Sequence, residues 1–239
     1  MKYIVIILIS SVNLLAQINT IQVDYKFENN AQNSKTIFFQ KLTDNGKYSL
    51  YITKDSTINN DPYTVVKKSP KRLGIFNDKV QNTLFMYSGI MGRDFYIKED
   101  SITNKFQWVI VDSVKKTILN YNCKLALCKF RGREYRAFYT DELPFFSGPW
   151  KFGGLPGVIL EVKSTNDWFS FEAYRISISG NTREINNPYT DEKIKFMPFI
   201  EHKKLSLRVL NAAQQKAQSQ EKDDDVEYTF KDDSMELLK

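Results

Sequence analysis

The chain has 239 residues, for which one domain with a sizeable core is the expectation. Its 34 basic and 28 acidic residues leave a net charge of +6, but the bases are spread along the chain with no Arg-rich stripe among aromatics, so no nucleic-acid partner is expected. A single histidine and two cysteines exclude most zinc sites, which draw several ligands from these residue types. Any Ser–His–Asp or Cys–His mechanism would have to pass its protons through one imidazole.

The N-terminus opens with Lys2, then an Ile-, Val- and Leu-rich run over residues 3–15, then Ala16 before the polar Gln17. This is the pattern of a secretory signal peptide. The run is shorter than the roughly 20 apolar residues of a membrane-spanning helix, and Gln17, Asn19, Gln22 and Asp24 follow it. Residues 1–16 are read as the signal peptide and 17–239 as a single β-rich domain, exported to the periplasm or cell envelope, or secreted, with no transmembrane segment in the mature chain. No cysteine stands at the cleavage site, which argues against a lipid anchor.

Ile21, Val23, Tyr25 and Phe27 alternate with Gln22, Asp24, Lys26 and Glu28, the period-two pattern of a strand with one buried face. Runs at 36–39, 48–53, 83–87, 95–98, 106–111 and 117–121 follow, separated by Asn, Asp, Gly and Ser clusters. The 17 Phe and 13 Tyr favour sheet. Runs 124–130 and 134–140 flank Arg131-Gly132-Arg133, and 158–163 and 168–178 flank Ser164-Thr165-Asn166-Asp167, which predicts two hairpins. In the second, Phe169, Phe171 and Ala173 share one parity while Tyr174, Ile176 and Ile178 take the other, so a bulge is expected near Ala173. One helix is predicted over 205–220, with Leu205, Val209, Ala212 and Ala213 along a narrow side, and 226–230 is a candidate last edge strand. The fold class is mainly β (α+β): a single curved antiparallel sheet with one substantial C-terminal helix. The aromatic content and the bulge suggest that the curvature wraps an apolar groove.

Residues that could carry chemistry are few. His202 lies in Glu-His-Lys-Lys and is expected to be solvated. Cys123 and Cys128 would stand about 16 Å apart on opposite faces of an extended strand, beyond the roughly 7 Å that a disulfide spans, and Lys124 to Leu127 holds no turn former. Buried free thiols are therefore preferred, against the pairing that an oxidising export route favours. Asp223, Asp224, Asp225, Asp232 and Asp233 lack the alternating acids and central glycine of a calcium loop and read as a solvated tail. Asp141 and Glu142 precede Leu143-Pro144 and read as the end of a strand. No catalytic residue, metal ligand or cofactor emerges.

The most unusual stretch is Gly148 to Leu160, GPWKFGGLPGVIL, with four of the ten glycines and two of the seven prolines. No Lys-Ser or Lys-Thr follows the glycines, so this is not a phosphate-binding loop. A strand pattern rather than a helix follows Gly157, so it is not a dinucleotide fingerprint. Gly153, Gly154, Leu155, Pro156 and Gly157 combine freedom for positive φ with a fixed φ, which suits a tight corner leading into the next strand. Either the corner simply closes the sheet, or it holds Trp150 and Phe152 at a mouth or ligand surface. On the second reading the candidate binding residues are Trp150, Lys151, Phe152, Gly153, Gly154, Leu155, Pro156 and Gly157.

The segment Gly148 to Ile159 resembles the signature of the GLPGLI family of exported proteins, known chiefly from Gram-negative Bacteroidota. The likeness extends to Tyr121-Asn122-Cys123-Lys124-Leu125-Ala126, Arg131-Gly132-Arg133-Glu134-Tyr135, Tyr139-Thr140 and Glu142-Leu143-Pro144, which occur in the family's order. Val158 stands where the family's name has Leu. It is strongest over residues 108–178. The resemblance implies export by a signal peptide, and it brings no catalytic residues. The expected role is non-catalytic binding of an apolar ligand or an envelope partner protein. The alternatives are a structural envelope component without a cavity, and, third, an enzyme of unidentified class.

Overall fold

The computed structural model describes residues 19–31, 35–54, 74–220 and 234–237. The expected signal peptide, the acidic run at 223–225 with Asp232 and Asp233, and the candidate strand 226–230 lie outside these residues. The described chain forms twelve strands and one α-helix. In order these are β1 (Thr20–Asn29), β2 (Thr36–Asp44), β3 (Tyr48–Thr53), β4 (Ile75–Asp78), β5 (Thr83–Ile90), β6 (Arg93–Asp100), β7 (Val109–Ile118), β8 (Tyr121–Phe130), β9 (Arg133–Thr140), β10 (Val158–Ser164), β11 (Phe169–Ser179), β12 (Phe196–Pro198) and α1 (Phe199–Gln220). They make one sheet with the order β12-β6-β5-β4-β3-β2-β1-β11-β10-β9-β8-β7. Each neighbouring pair is antiparallel except β12 with β6, which is parallel.

The expected mainly β fold is the one observed. Two two-residue hairpins turn at Arg131-Gly132 (φ 43° and 76°) and Leu119-Asn120 (φ 51° and 69°), the paired positive φ values of a turn whose twist matches the sheet. The second overturns the reading of 117–121 as a strand: β7 ends at Ile118, opposite Tyr121, and the chain reverses without a glycine because Asn tolerates the left-handed region. Likewise 106–111 and 117–118 belong largely to one strand, β7, whose register shifts between Val111 and Lys115. The expected bulge on β11 is present: Asp24 faces Arg175 and Tyr25 faces Ala173, which leaves Tyr174 as the extra residue.

The sheet is strongly curled. Glu99 at the end of β6 makes an ion pair with Arg131, just past β8, although these are the second and eleventh strands in the order. A flat sheet at about 4.8 Å per strand would hold them some 43 Å apart. The concave face carries the main core, which draws Ile21, Val23 and Tyr25 of β1, Leu84 of β5 and Tyr135 and Ala137 of β9 into one cluster with Phe152 and Leu155. The apolar groove expected from sequence is therefore occupied by the connection between β9 and β10, the Gly- and Pro-rich signature. Ile75 belongs to this core and its neighbour Phe76 to a second, smaller cluster with Ile185 and Tyr189, as alternation across a strand requires. That second cluster lies under residues 180–195, pinned by the Tyr189 hydroxyl donating to the Gly74 carbonyl at 2.6 Å.

Helix α1 starts six residues before the predicted 205, directly after Pro198. Its first turn is its buried part: Phe199, His202 and Lys203 are 7%, 7% and 6% exposed. Sequence placed His202 in solvent because its neighbours are charged, but the first turn packs beside β6 and β12. No described helix is long and apolar enough to cross a membrane.

Candidate functional site

The signature loop is held at both ends and in its middle. Asp44, fully buried at the end of β2, accepts from the Ser147 hydroxyl, from the Gly46 amide at 2.7 Å and from Lys79. Ser147 in turn forms a β-bridge with Gly153, and its carbonyl accepts from the Ile159 amide at 2.9 Å. The Trp108 indole donates to the Gly153 carbonyl at 2.9 Å. At the exit, the Tyr25 hydroxyl donates to the Ile159 carbonyl at 2.6 Å, beside the register shift that separates Ile159 from Glu161 in β10. Gly157 has φ +150°, and a Cβ there would stand 1.9 Å from the Thr140 carbonyl oxygen, so the corner is closed by a backbone contact that only glycine permits.

Trp150 has φ +53°, unusual for a bulky residue. This turns its neighbour Lys151 inward, where its side chain is 0% exposed. The Lys151 ammonium donates to Glu99 at 2.6 Å and to Glu236 at 2.8 Å, and it lies 4.5 Å from the centre of the Phe199 ring. Arg131 contacts the same two carboxylates and stacks over Phe199 at 3.7 Å. Two cations and two carboxylates thus meet between β6, the tip of the β8–β9 hairpin, the signature loop and residues 234–237. Burial alone would push the Glu99 carboxyl up; Lys151 and Arg131 more than offset this and hold it below its ordinary range.

Next to this cluster lies a cavity of about 290 Å³. Its apolar wall comes from Met86, Ile97, Trp150, Phe199 and Met235, and its polar wall includes His202, Lys203 and Ser206 of α1. The His202 Nε2 atom is buried without a hydrogen-bond partner. Burial, reinforced by the charges of Lys151 and Lys203, pushes the imidazole's pKa down, so the ring is neutral and offers Nε2 as a donor or acceptor according to its tautomer. A second, larger hollow of about 380 Å³ lies against Val109, Leu127 and Tyr135.

The eight sequence-predicted site residues divide by environment. Trp150 is half-buried and lines the cavity, and Lys151 sits in the ion cluster behind it. Phe152 and Leu155, 2% and 1% exposed, are core; Phe152 packs edge-on against Tyr135 and Phe171. Gly153 and Gly157 are buried, while Gly154 (φ +83°) and Pro156 face solvent. His202 was expected to be solvated and is buried; Glu99, Arg131 and Glu236 were not read as site residues from sequence. A lone Lys or Glu reads as surface, and nothing local links positions 99, 131, 151 and 236. Cys123 and Cys128 are free and buried, as preferred. Asp141 pairs with Lys124 at 2.7 Å just beyond the end of β9.

No family model matches the chain, and no curated protein matches it. Among solved structures, PNGF-II in its C2 and P21 crystal forms is similar in fold, each with a TM-score of 0.54 at 15% identity over 80% of this chain. This chain covers 33% and 34% of those chains, about a third of their length. The MucA/MucB complex of Pseudomonas aeruginosa is far looser, with a TM-score of 0.29 at 9% identity over 68% of this chain and 53% of that one. The likeness to PNGF-II is one of fold alone.

Proposed function

We propose that this chain is an exported, non-catalytic binding protein of the periplasm or cell envelope, that it belongs to the GLPGLI family its signature resembles, and that the cavity beside Trp150 holds a small amphipathic ligand. The observation that carries the reading is His202. A buried polar atom with no partner costs about 1–3 kcal/mol, and its residue lines a cavity that has both apolar and polar walls. A ligand with an apolar body and one hydrogen-bonding group would satisfy Nε2 and cover Met86, Ile97 and Trp150. The volume of about 290 Å³ lies just below the roughly 300 Å³ at which small-molecule sites start, so the ligand is small. The signature loop presents Trp150, and the apolar run after Lys2 supports export.

A fluorescence titration with N-phenyl-1-naphthylamine tests the site. Saturable enhancement is expected with the wild-type protein. It is expected to vanish in Ser206→Trp, which fills the cavity from the half-buried face of α1. Equal enhancement in a folded Ser206→Trp variant would refute the assignment. Export has its own test: N-terminal sequencing of exported material should begin at Gln17.

A further inference from the structure

We infer that the seat occupied by residues 234–237 is a peptide-binding site, and that a short segment of a partner protein, carrying an apolar residue followed by a glutamate, exchanges there with the chain's own Ser-Met-Glu-Leu. These four residues bend outside any strand or helix, and they are held through backbone and side chains together. The Leu237 amide donates to the Arg131 carbonyl at 2.9 Å. Arg133 Nε donates to the Ser234 carbonyl at 2.6 Å, and the Tyr135 hydroxyl to the Met235 carbonyl at 2.7 Å. Backbone contacts of this kind are available to any segment that takes the same bend, and selectivity then falls to pockets for individual side chains.

Three side chains supply that selectivity, and the first is Ser234, whose hydroxyl accepts from Lys203 at 2.6 Å. Met235 packs against the main core, and Glu236, 6% exposed, enters between Lys151 and Arg131. With Glu236 in place, two cations face two carboxylates. With it gone, Lys151 and Arg131 share Glu99 alone, which leaves two cations against one carboxylate. Lys105, 3.6 Å from Glu99, adds a further positive charge at the rim. An unpaired buried charge is strongly unfavourable, so the vacated seat selects for a carboxylate at the Glu236 position. Because the segment contributes no ladder hydrogen bonds to the sheet, its replacement leaves the strand register intact. Ser234, Met235 and Glu236 also line the cavity, but the seat and its contacts are defined without any occupant of that cavity.

The test uses a labelled hexapeptide with the sequence of residues 233–238, Asp-Ser-Met-Glu-Leu-Leu, and the full chain carrying Glu236→Gln, which weakens the chain's own segment as a competitor. In fluorescence anisotropy the peptide is expected to bind the variant at least about tenfold more tightly than it binds wild type, where the tethered segment competes at high effective concentration. The same peptide with Gln in place of Glu should bind at least about tenfold more weakly, for want of the carboxylate. Equal binding to both chains, indifference to the Glu-to-Gln change, or no binding to a natively folded variant would overturn the inference. If Glu236→Gln does not fold, hydrogen exchange on wild type decides: the Leu237 amide is expected to exchange faster than the amides of β8 and β9, and exchange of Leu237 only through global unfolding would overturn it. No naphthylamine probe enters either measurement, so failure here leaves the cavity assignment to its own test.

Discussion

Glu99 and Arg131 are in contact although they belong to opposite ends of the sheet, and this ion pair fastens the curl of the sheet around its core. Glu99→Gln removes one partner from a buried set and is expected to lower stability by about 3–5 kcal/mol near neutral pH. The effect depends on pH in a definite sense. The folded-state pKa of Glu99 lies below its ordinary 4.5, so the folded protein binds fewer protons than the unfolded chain. The stabilisation is complete above that ordinary value and is lost as pH falls through the lowered one. Urea unfolding of wild type and variant across this range should show their difference shrinking with acid; a constant difference would contradict the assignment.

The corner of the signature makes a graded set of substitutions. Gly157→Ala would drive a Cβ against the Thr140 carbonyl at 1.9 Å, a backbone atom with nowhere to go, and should cost at least about 3 kcal/mol, the range of severe core lesions. Gly154 is exposed with φ +83°, so alanine there meets the left-handed penalty of about 1–2 kcal/mol alone. Thermal unfolding should rank the two in that order.

Trp150 and Phe152 are neighbours with different duties. Phe152 is core, and Phe152→Ala is expected to cost about 3–5 kcal/mol. Trp150 is half-buried, keeping an edge-on contact with Phe152 at 5.2 Å, and Trp150→Ala should cost clearly less while abolishing naphthylamine binding. A loss of stability as large as that of Phe152→Ala would make Trp150 a packing residue.

Burial pushes the Cys123 thiol up to about 11 and the Cys128 thiol up to about 12. Little thiolate, the reactive form, exists near pH 8. Neither should react with Ellman's reagent in the native protein. Both should react in denaturant without any reductant, and two blocked thiols there would reveal a disulfide.

Period-two patterns and turn residues are local signals, and the elements they specify were legible: β1, the β8–β9 and β10–β11 hairpins, and the bulge at Tyr174. The four residues of β4 and the three of β12 are too short to carry a pattern, and β12 is defined by its parallel pairing with β6 rather than by its own sequence. The first turn of α1 was missed for a different reason. Glu-His-Lys-Lys reads as solvated, yet His202 and Lys203 are buried because the curl of the sheet brings the signature loop and residues 234–237 against them. The site was half legible on the same grounds. The clustered glycines and prolines mark the loop that positions Trp150, while Glu99, Arg131 and Glu236 are joined to Lys151 only by the tertiary fold.

The cavity beside Trp150 and His202 is proposed to hold a small amphipathic molecule. Native mass spectrometry of material purified from the cell envelope tests it most directly. The expected spectrum shows the chain beginning at Gln17 with a non-covalently retained small molecule, and Ser206→Trp, purified in parallel, without it. A wild-type spectrum containing the bare chain alone, or an adduct retained equally by Ser206→Trp, would contradict the claim.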